Sequence, residues 1–406
     1  MKRMPKNNRI TAMLRLGKRL LPILAGAVFL SLTGCWDKDE VNSLAIVTSA
    51  GFDRTEDGTI ELTLEIAAPQ QEESGKPGGD QKQKNGKTII RTATGKTAAD
   101  AQGQLQMMMP RTIYWGQLQV LVVGEALARD GLREQLDYLV RDNEIRLRVM
   151  PFVTRGKVRD FFESPYLLEQ TKADFLQSEA GRVFHKTLTI SQLVQRLSGD
   201  QNGAILPFVD VPQEGGGKGG DPYIKGYAVL NRGRMIGTMT GDSFLAAKWV
   251  MNQLKNDVQT VNVGSESPSR VTLVITASNS RLIPSRKEGE WQMDIRIGSE
   301  LSMIQNTTRL PMADPQHARK LEAAMAEHVR EMVERTVKEA QRMRTDIFGF
   351  GEAINRQNPR EWKKLASRWD RIFPQMAVSV EVKTDLRRIG MNNIPVGLPH
   401  QEGRKQ

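Results

Sequence analysis

The chain has 406 residues, 26% of them charged, with a formal net charge of +11 and a single cysteine. That length holds two or three domains with ample core. One cysteine excludes an internal disulfide framework, and basic residues scattered beyond the N-terminus do not make a nucleic-acid stripe.

Residues 1–34 differ from the rest. Lys2, Arg3, Lys6, Arg9, Arg15, Lys18 and Arg19 form a basic start without acid, and an apolar run from Leu20 to Leu32 follows. Basic, then apolar, then small residues make an export signal. The run is short for a transmembrane helix, which needs roughly 20 residues. Leu32-Thr33-Gly34-Cys35 resembles a bacterial lipobox, with small residues for a narrow peptidase groove and a thiol to accept a diacylglyceryl group. Cys35 is therefore the predicted lipidation site, S-diacylglycerylated and N-acylated. Two or more chains, at about 0.8 kcal/mol per buried CH₂, anchor a protein stably. Cleavage before Cys35 removes seven positive charges, so the net charge falls from +11 to +4. The mature chain keeps only a modest bias toward anionic lipid.

A hairpin opens the mature protein. Leu44–Gly51 reads as a strand, Asp57-Gly58 as a turn, and Ile60, Leu62, Leu64 and Ile66 alternate with polar residues as a half-buried strand. Residues 70–87 hold almost no apolar side chain and read as a loop joining two strands. Thr88–Thr94 is the returning strand, and Thr97–Met109 a helix stopped by Pro110. Leu118–Val123 is an apolar strand. A helix follows with Leu127, Leu132, Leu136, Leu139 and Val140 on one face, then a strand over Ile145–Val153. Strand, helix, strand predicts a parallel pair. Residues 165–180 and 187–198 read as helical, and the Gly-rich stretch at 213–222 as a linker or long loop.

In the second half, Tyr223–Leu230 and Met235–Met239 are strands around an Asn231-Arg232-Gly233 turn. A helix at Ser243–Leu254 and strands near 258–263, 270–277 and 291–305 follow. Pro315–Arg344 is a long amphipathic helix capped by Asp314, with Leu321, Met325, Val329, Met332, Val337, Ala340 and Met343 as its apolar stripe. Asn358-Pro359-Arg360-Glu361 starts a further helix, on which Trp362, Leu365, Trp369 and Ile372 share a face up to Pro374. Met376–Leu386 alternates as a final strand, and 391–406 reads as a frayed tail. The predicted fold is mixed α/β (α+β), several domains on mixed and antiparallel sheets with packed helices. Its segments are 1–34 signal peptide, 36–212 N-terminal domain with a subdivision point near 185, 223–390 C-terminal domain, and 391–406 tail.

Catalytic and cofactor patterns fail one by one. His185, His317, His328 and His400 lack partners at metal-ligand spacing. Gly86-Lys87-Thr88 and Gly95-Lys96-Thr97 lack the first glycine of a phosphate loop, Gly349-Phe350-Gly351 follows a helix, and Gly241-Asp242-Ser243 lacks a nucleophile-elbow flank. No catalytic residue, metal or cofactor is predicted.

The residues that remain resemble a family. Leu32-Thr33-Gly34-Cys35-Trp36-Asp37 with Glu40, and Gly51-Phe52-Asp53, resemble the start of the Ger(x)C lipoproteins, the C subunits of bacterial spore germinant receptors. Trp115-Gly116-Gln117-Leu118-Gln119-Val120, Gly124 to Leu132, and Arg141-Asp142 with Glu144-Ile145-Arg146 resemble the middle signature. Asp346-Ile347-Phe348-Gly349-Phe350-Gly351-Glu352-Ala353 through Pro359, Trp362, Trp369 and Phe373-Pro374 resembles the C-terminal one. The stretches near 72–87 and 213–222 are long for that family, and Ile389 replaces a small polar residue before Gly390. The resemblance implies a non-enzymatic, several-domain α/β subunit that acts in nutrient-triggered germination with membrane-spanning A and B subunits. It implies a place on the outer face of the cell membrane, at the inner spore membrane in the spore. The alternative is a small-molecule-binding lipoprotein of a transporter, which would show two strand–helix lobes around a cleft.

Overall fold

The computed structural model describes residues 41–68, 88–166, 169–199, 203–212, 220–263, 270–308 and 310–390. Two compact units divide the chain, Met1–Leu44 and Ala45–Gln406. Of the first, a 3₁₀ turn at Val41–Ser43 is described; everything below concerns the second. Cys35, the signal segment, the loop at 70–87 and the tail at 391–406 lie outside the described residues.

The fold is mixed α/β on two sheets. Nine strands form the larger: β1 (Leu44–Arg54), β2 (Ile60–Ala67), β3 (Thr88–Gly95), β4 (Thr112–Tyr114), β5 (Val120–Gly124), β6 (Met150–Thr154), β7 (Gly203–Asp210), β8 (Tyr223–Asn231) and β9 (Arg234–Thr240). Their order is β3-β2-β1-β5-β6-β7-β8-β9, with β4 beside β1. The four central strands β1, β5, β6 and β7 are parallel, and antiparallel hairpins flank them on both sides. β7 is buried throughout, and Pro207 inside it hides the strand from a periodicity reading. β8 and β9 follow the glycine-rich stretch yet complete the sheet begun before it.

Helices cover both faces of this sheet. On one lie α1 (Ala98–Met107), α2 (Glu125–Asp130), α3 (Arg133–Arg141) and, later in the chain, α6 (Ile190–Ser198); on the other lie α4 (Val158–Glu163), α5 (Lys172–Val183) and α7 (Asp242–Val250). The single helix expected after β5 is two. Gly131 has φ +136, a conformation that a helix cannot contain, and it separates α2 from α3. Val140 then turns outward, 46% exposed, against the expected face. The strand expected from Ile145 begins only at Met150, because Arg146 to Val149 form a turn. β2 is buried on both faces, not one, since α1 packs on one side and α4 on the other.

The smaller sheet has the order β10-β11-β12-β13, from β10 (Val258–Asn262), β11 (Arg270–Lys287), β12 (Glu290–Asn306) and β13 (Ala377–Arg388). β11 and β12 form one long hairpin turned at Glu288 and Gly289, both at positive φ. β13 runs parallel to β12. The long helix α8 (Pro315–Arg342) packs on β13, and its Glu322 accepts from Thr384 Oγ1 and Leu386 N at 2.8 Å each. Asp314 caps α8 through Gln316 N. The stripe from Leu321 to Ala340 is buried as periodicity requires, with Val333 and Thr336 added to it.

The segment after α8 is shorter-stepped than expected: α9 (Phe350–Gln357), α10 (Pro359–Leu365), a 3₁₀ turn at Ala366–Arg368, α11 (Trp369–Ile372) and a 3₁₀ turn at Phe373–Gln375. The Asn358 side chain caps nothing; its carbonyl accepts from Trp362 N. Trp362 and Trp369 sit on separate helices, and both are buried, with ring centroids 5.1 Å apart in a T-shaped pair.

Candidate functional site

The parallel strands β1, β5, β6 and β7 end together, and in open α/β sheets the crevice outside such ends is where ligands bind. Here it has a volume of about 1010 Å³ and is lined by Glu125, Arg155, Lys157, Asp160, Ser164 and Asp210 among others. Asp53, at the end of β1, accepts from Val158 N at 2.6 Å and so caps the short helix α4. A Cβ on Gly124 would lie 1.7 Å from Asp53 Oδ1, so only glycine lets the carboxyl sit against β5. Burial pushes the Asp53 pKa up to about 6, against the pull of the Val158 N–H. Asp210, at the end of β7, accepts from Lys225 Nζ at 2.6 Å and Arg155 at 3.4 Å.

Behind the crevice lie two buried ionisable side chains, Glu65 and Lys172. Glu65 of β2 accepts from Ser49 Oγ at 2.6 Å, from Thr48 Oγ1 at 3.3 Å and from the Lys172 backbone N–H at 2.9 Å. It therefore meets the N-terminal end of α5, where a negative group is favoured. The Lys172 side chain turns away into a box of rings, 4.5 Å from Tyr166, 4.9 Å from Phe161 and 5.9 Å from Phe175. Its Nζ donates to Ser164 Oγ at 2.8 Å and Ser164 O at 2.9 Å, and Ser164 Oγ donates to Phe161 O. Burial lowers the Lys172 pKa to about 7, with Glu65 pulling the other way. These groups are bonded to one another, so the network holds β1, β2, α4 and α5 together. A second cleft of about 1010 Å³ is lined by Phe184, Lys186, Arg196, Tyr227, Arg281 and Trp362 among others.

Asp346 organises the C-terminal signature. It is fully buried and accepts from Gly349 N, Phe350 N and Gly351 N at 2.8, 3.0 and 2.8 Å, and from Trp369 Nε1 at 3.2 Å. Burial raises its pKa and the four donors lower it. The Asp-Ile-Phe-Gly-Phe-Gly run is thus a helix start tied to a tryptophan.

Other motifs singled out by sequence find structural duties. Thr97 caps α1, and Asp100 accepts from Lys96 N at 2.8 Å. Ser243 Oγ donates to Glu339 at 2.5 Å. His317 Nδ1 lies 3.1 Å from Pro311 O; His400 lies outside the described residues. Among the described residues no group of three or more His, Cys, Asp or Glu could hold a metal ion, and no helix is long and apolar enough to cross a membrane. Sequence reading missed Asp53, Glu65, Lys172 and Asp346 as buried charges. Lys172 carried a signal, because a lysine at the first position of a helix opposes the dipole.

Residues 37–211 match the family described as spore germination protein N-terminal domain, and residues 225–390 match the family described as spore germination B3/GerAC like, C-terminal. The chain belongs to the Ger(x)C family of spore germination proteins. Spore germination protein KC of Bacillus subtilis (strain 168) is 25% identical over 402 residues, covering 93% of this chain and 98% of the relative. Spore germination protein B3 of the same strain is 24% identical over 378 residues, covering 89% and 96%. A crystal structure of the GerBC protein has the same fold, with TM-score 0.56 and 20% identity over 83% of this chain and 96% of that one. These are Ger(x)C chains matched along nearly their whole length.

Proposed function

We propose that this Ger(x)C chain is the lipid-anchored subunit of a nutrient-responsive spore germinant receptor, working through contacts with membrane-spanning A and B subunits and without a catalytic step of its own. The observation that carries the reading is the match of residues 37–211 and 225–390 to spore germination families, beginning two residues after Cys35. Only Trp36 lies between the lipobox and the family region. Acylation on the outer face of the cell membrane, at the inner spore membrane in the spore, would confine the chain beside its partners. Confinement raises their effective concentration, so weak contacts suffice.

Deleting the gene should abolish the response to particular nutrients and spare germination by non-nutrient agents. Cys35→Ala should leave an unprocessed precursor without labelled fatty acid, and labelled lipid on that variant would refute the anchor. The second reading, a small-molecule-binding lipoprotein, draws on the crevice outside the parallel strand ends. Calorimetry on the mature chain with amino acids and sugars at millimolar concentration separates the two. No saturable heat is expected.

A further inference from the structure

We infer that one corner of the large sheet, carrying Met107 and Met108, rests on the lipid bilayer. The inference depends on acylation of Cys35, proposed above. Val47, Ile66 and Ile89 form one row across β1, β2 and β3, which places the start of β1, the end of β2 and the start of β3 at one end of the sheet. α1 follows β3 and packs back along it, so its C-terminal end returns toward that same end. The chain then enters β4, which pairs with β1. Met107 is 73% exposed and Met108 61%, two adjacent large apolar side chains in water; Ile89 is 39% exposed.

The turn that presents them is pinned. Gln106 Oε1 accepts from Ile113 N at 2.9 Å, and Gln106 Nε2 donates to Arg111 O at 3.0 Å. Both methionines are therefore held outward by a fixed loop. Arg91, two residues past Ile89 on β3, and Arg111, three residues past Met108, are exposed and make no ion pair among the described residues. Apolar tips flanked by arginine fit the interface of an anionic bilayer, where the cation meets headgroups and the methionine enters the acyl boundary.

Chain length selects lipid over other occupants. Eight residues separate Cys35 from Leu44, and the nine steps between them reach at most about 30 Å. A compact chain of this size has a radius of gyration of about 20 Å, hence a breadth greater than that tether. The end of the sheet where β1 starts is thus kept on the bilayer side. The exposed Val258 and Ile304 belong to the smaller sheet and have no such tether.

The test uses the acylated full-length mature chain on vesicles of phosphatidylglycerol and phosphatidylethanolamine. Acylation occupies the one natural cysteine, so Met108→Cys and, separately, Ile304→Cys each offer one thiol for an environment-sensitive dye. Nitroxide lipid should quench the dye at 108 several-fold more than the dye at 304, and aqueous iodide should show the reverse order. Met107→Cys, read the same way, guards against a local artefact at 108. Equal quenching at 108 and 304 in a chain that floats with the vesicles overturns the inference alone. Protection at 108 that appears only when the membrane-spanning subunits are added also overturns it, in favour of a protein contact. A chain that does not float and whose Cys35 still takes dye overturns the anchoring reading and this inference with it.

Discussion

Asp53 and Lys172 tie single residues to pH. The folded pKa of Asp53 is about 6, against 3.8 for the free side chain. Between those values the folded state holds a proton that the unfolded state has released. Its contribution is therefore fully present below pH 3.8 and lost as pH rises through 6. A shift of this size corresponds to roughly 3 kcal/mol. Asp53→Asn keeps an acceptor for Val158 N, so it should remove that slope and be at least as stable as wild type at pH 7, by thermal melts across pH 4–8. Lys172 runs the other way. Its folded pKa is depressed from 10.5 to about 7, so stability is greatest above 10.5 and falls as pH drops through 7. Lys172→Met should flatten the melting curve between those limits; an unchanged slope would mean that the amine stays charged inside its box of rings.

At the scale of elements, Asp346 and Trp369 make the C-terminal signature a core device. Asp346→Ala would strand three helix-start N–H groups and an indole N–H out of water, each costing about 1–3 kcal/mol. Trp369→Ala should cost about 3–5 kcal/mol, since the side chain is 3% exposed and packs on Trp362 and Phe373. Their costs should not add, because both break one hydrogen bond. A double variant as unstable as the sum of the two singles would separate them. If Trp369→Ala instead melted like wild type and lost receptor partners, this face would be a contact surface. Sequence periodicity placed both tryptophans on one helical face. It did not find the 3₁₀ turn at Ala366–Arg368 between their helices, nor the bond from Trp369 Nε1 to Asp346, 23 positions away.

At the scale of the whole molecule, the large sheet crosses the glycine-rich stretch. A chain ending at residue 212 keeps β7 but loses β8 and β9. β7 is buried on every residue, so its bare edge would offer unpaired backbone and apolar side chains. Residues 36–212 alone should aggregate or run as multimers in size-exclusion chromatography. A monodisperse, cooperatively melting 36–212 would show that the first segment folds without the second.

The sequence by itself determined the elements whose cause is local. Strands and helices of regular period announced themselves, as β7 with its Pro207 did not; turns showed their glycines, α8 its capping aspartate, and the ordered Trp, Gly and Pro positions their family. A hydrogen-bond ladder or a cap joins residues a few positions apart, so its signature is written in neighbouring residues. Tertiary structure alone decided which charges are buried. Asp53 meets Val158 across 105 positions, and Glu65 meets Lys172 across 107. In β2, Glu65 alternated as an outward residue until α4 and α5 covered that face. Burial of a polar group depends on which distant surface arrives to exclude water and supply a donor. No local pattern records that arrival.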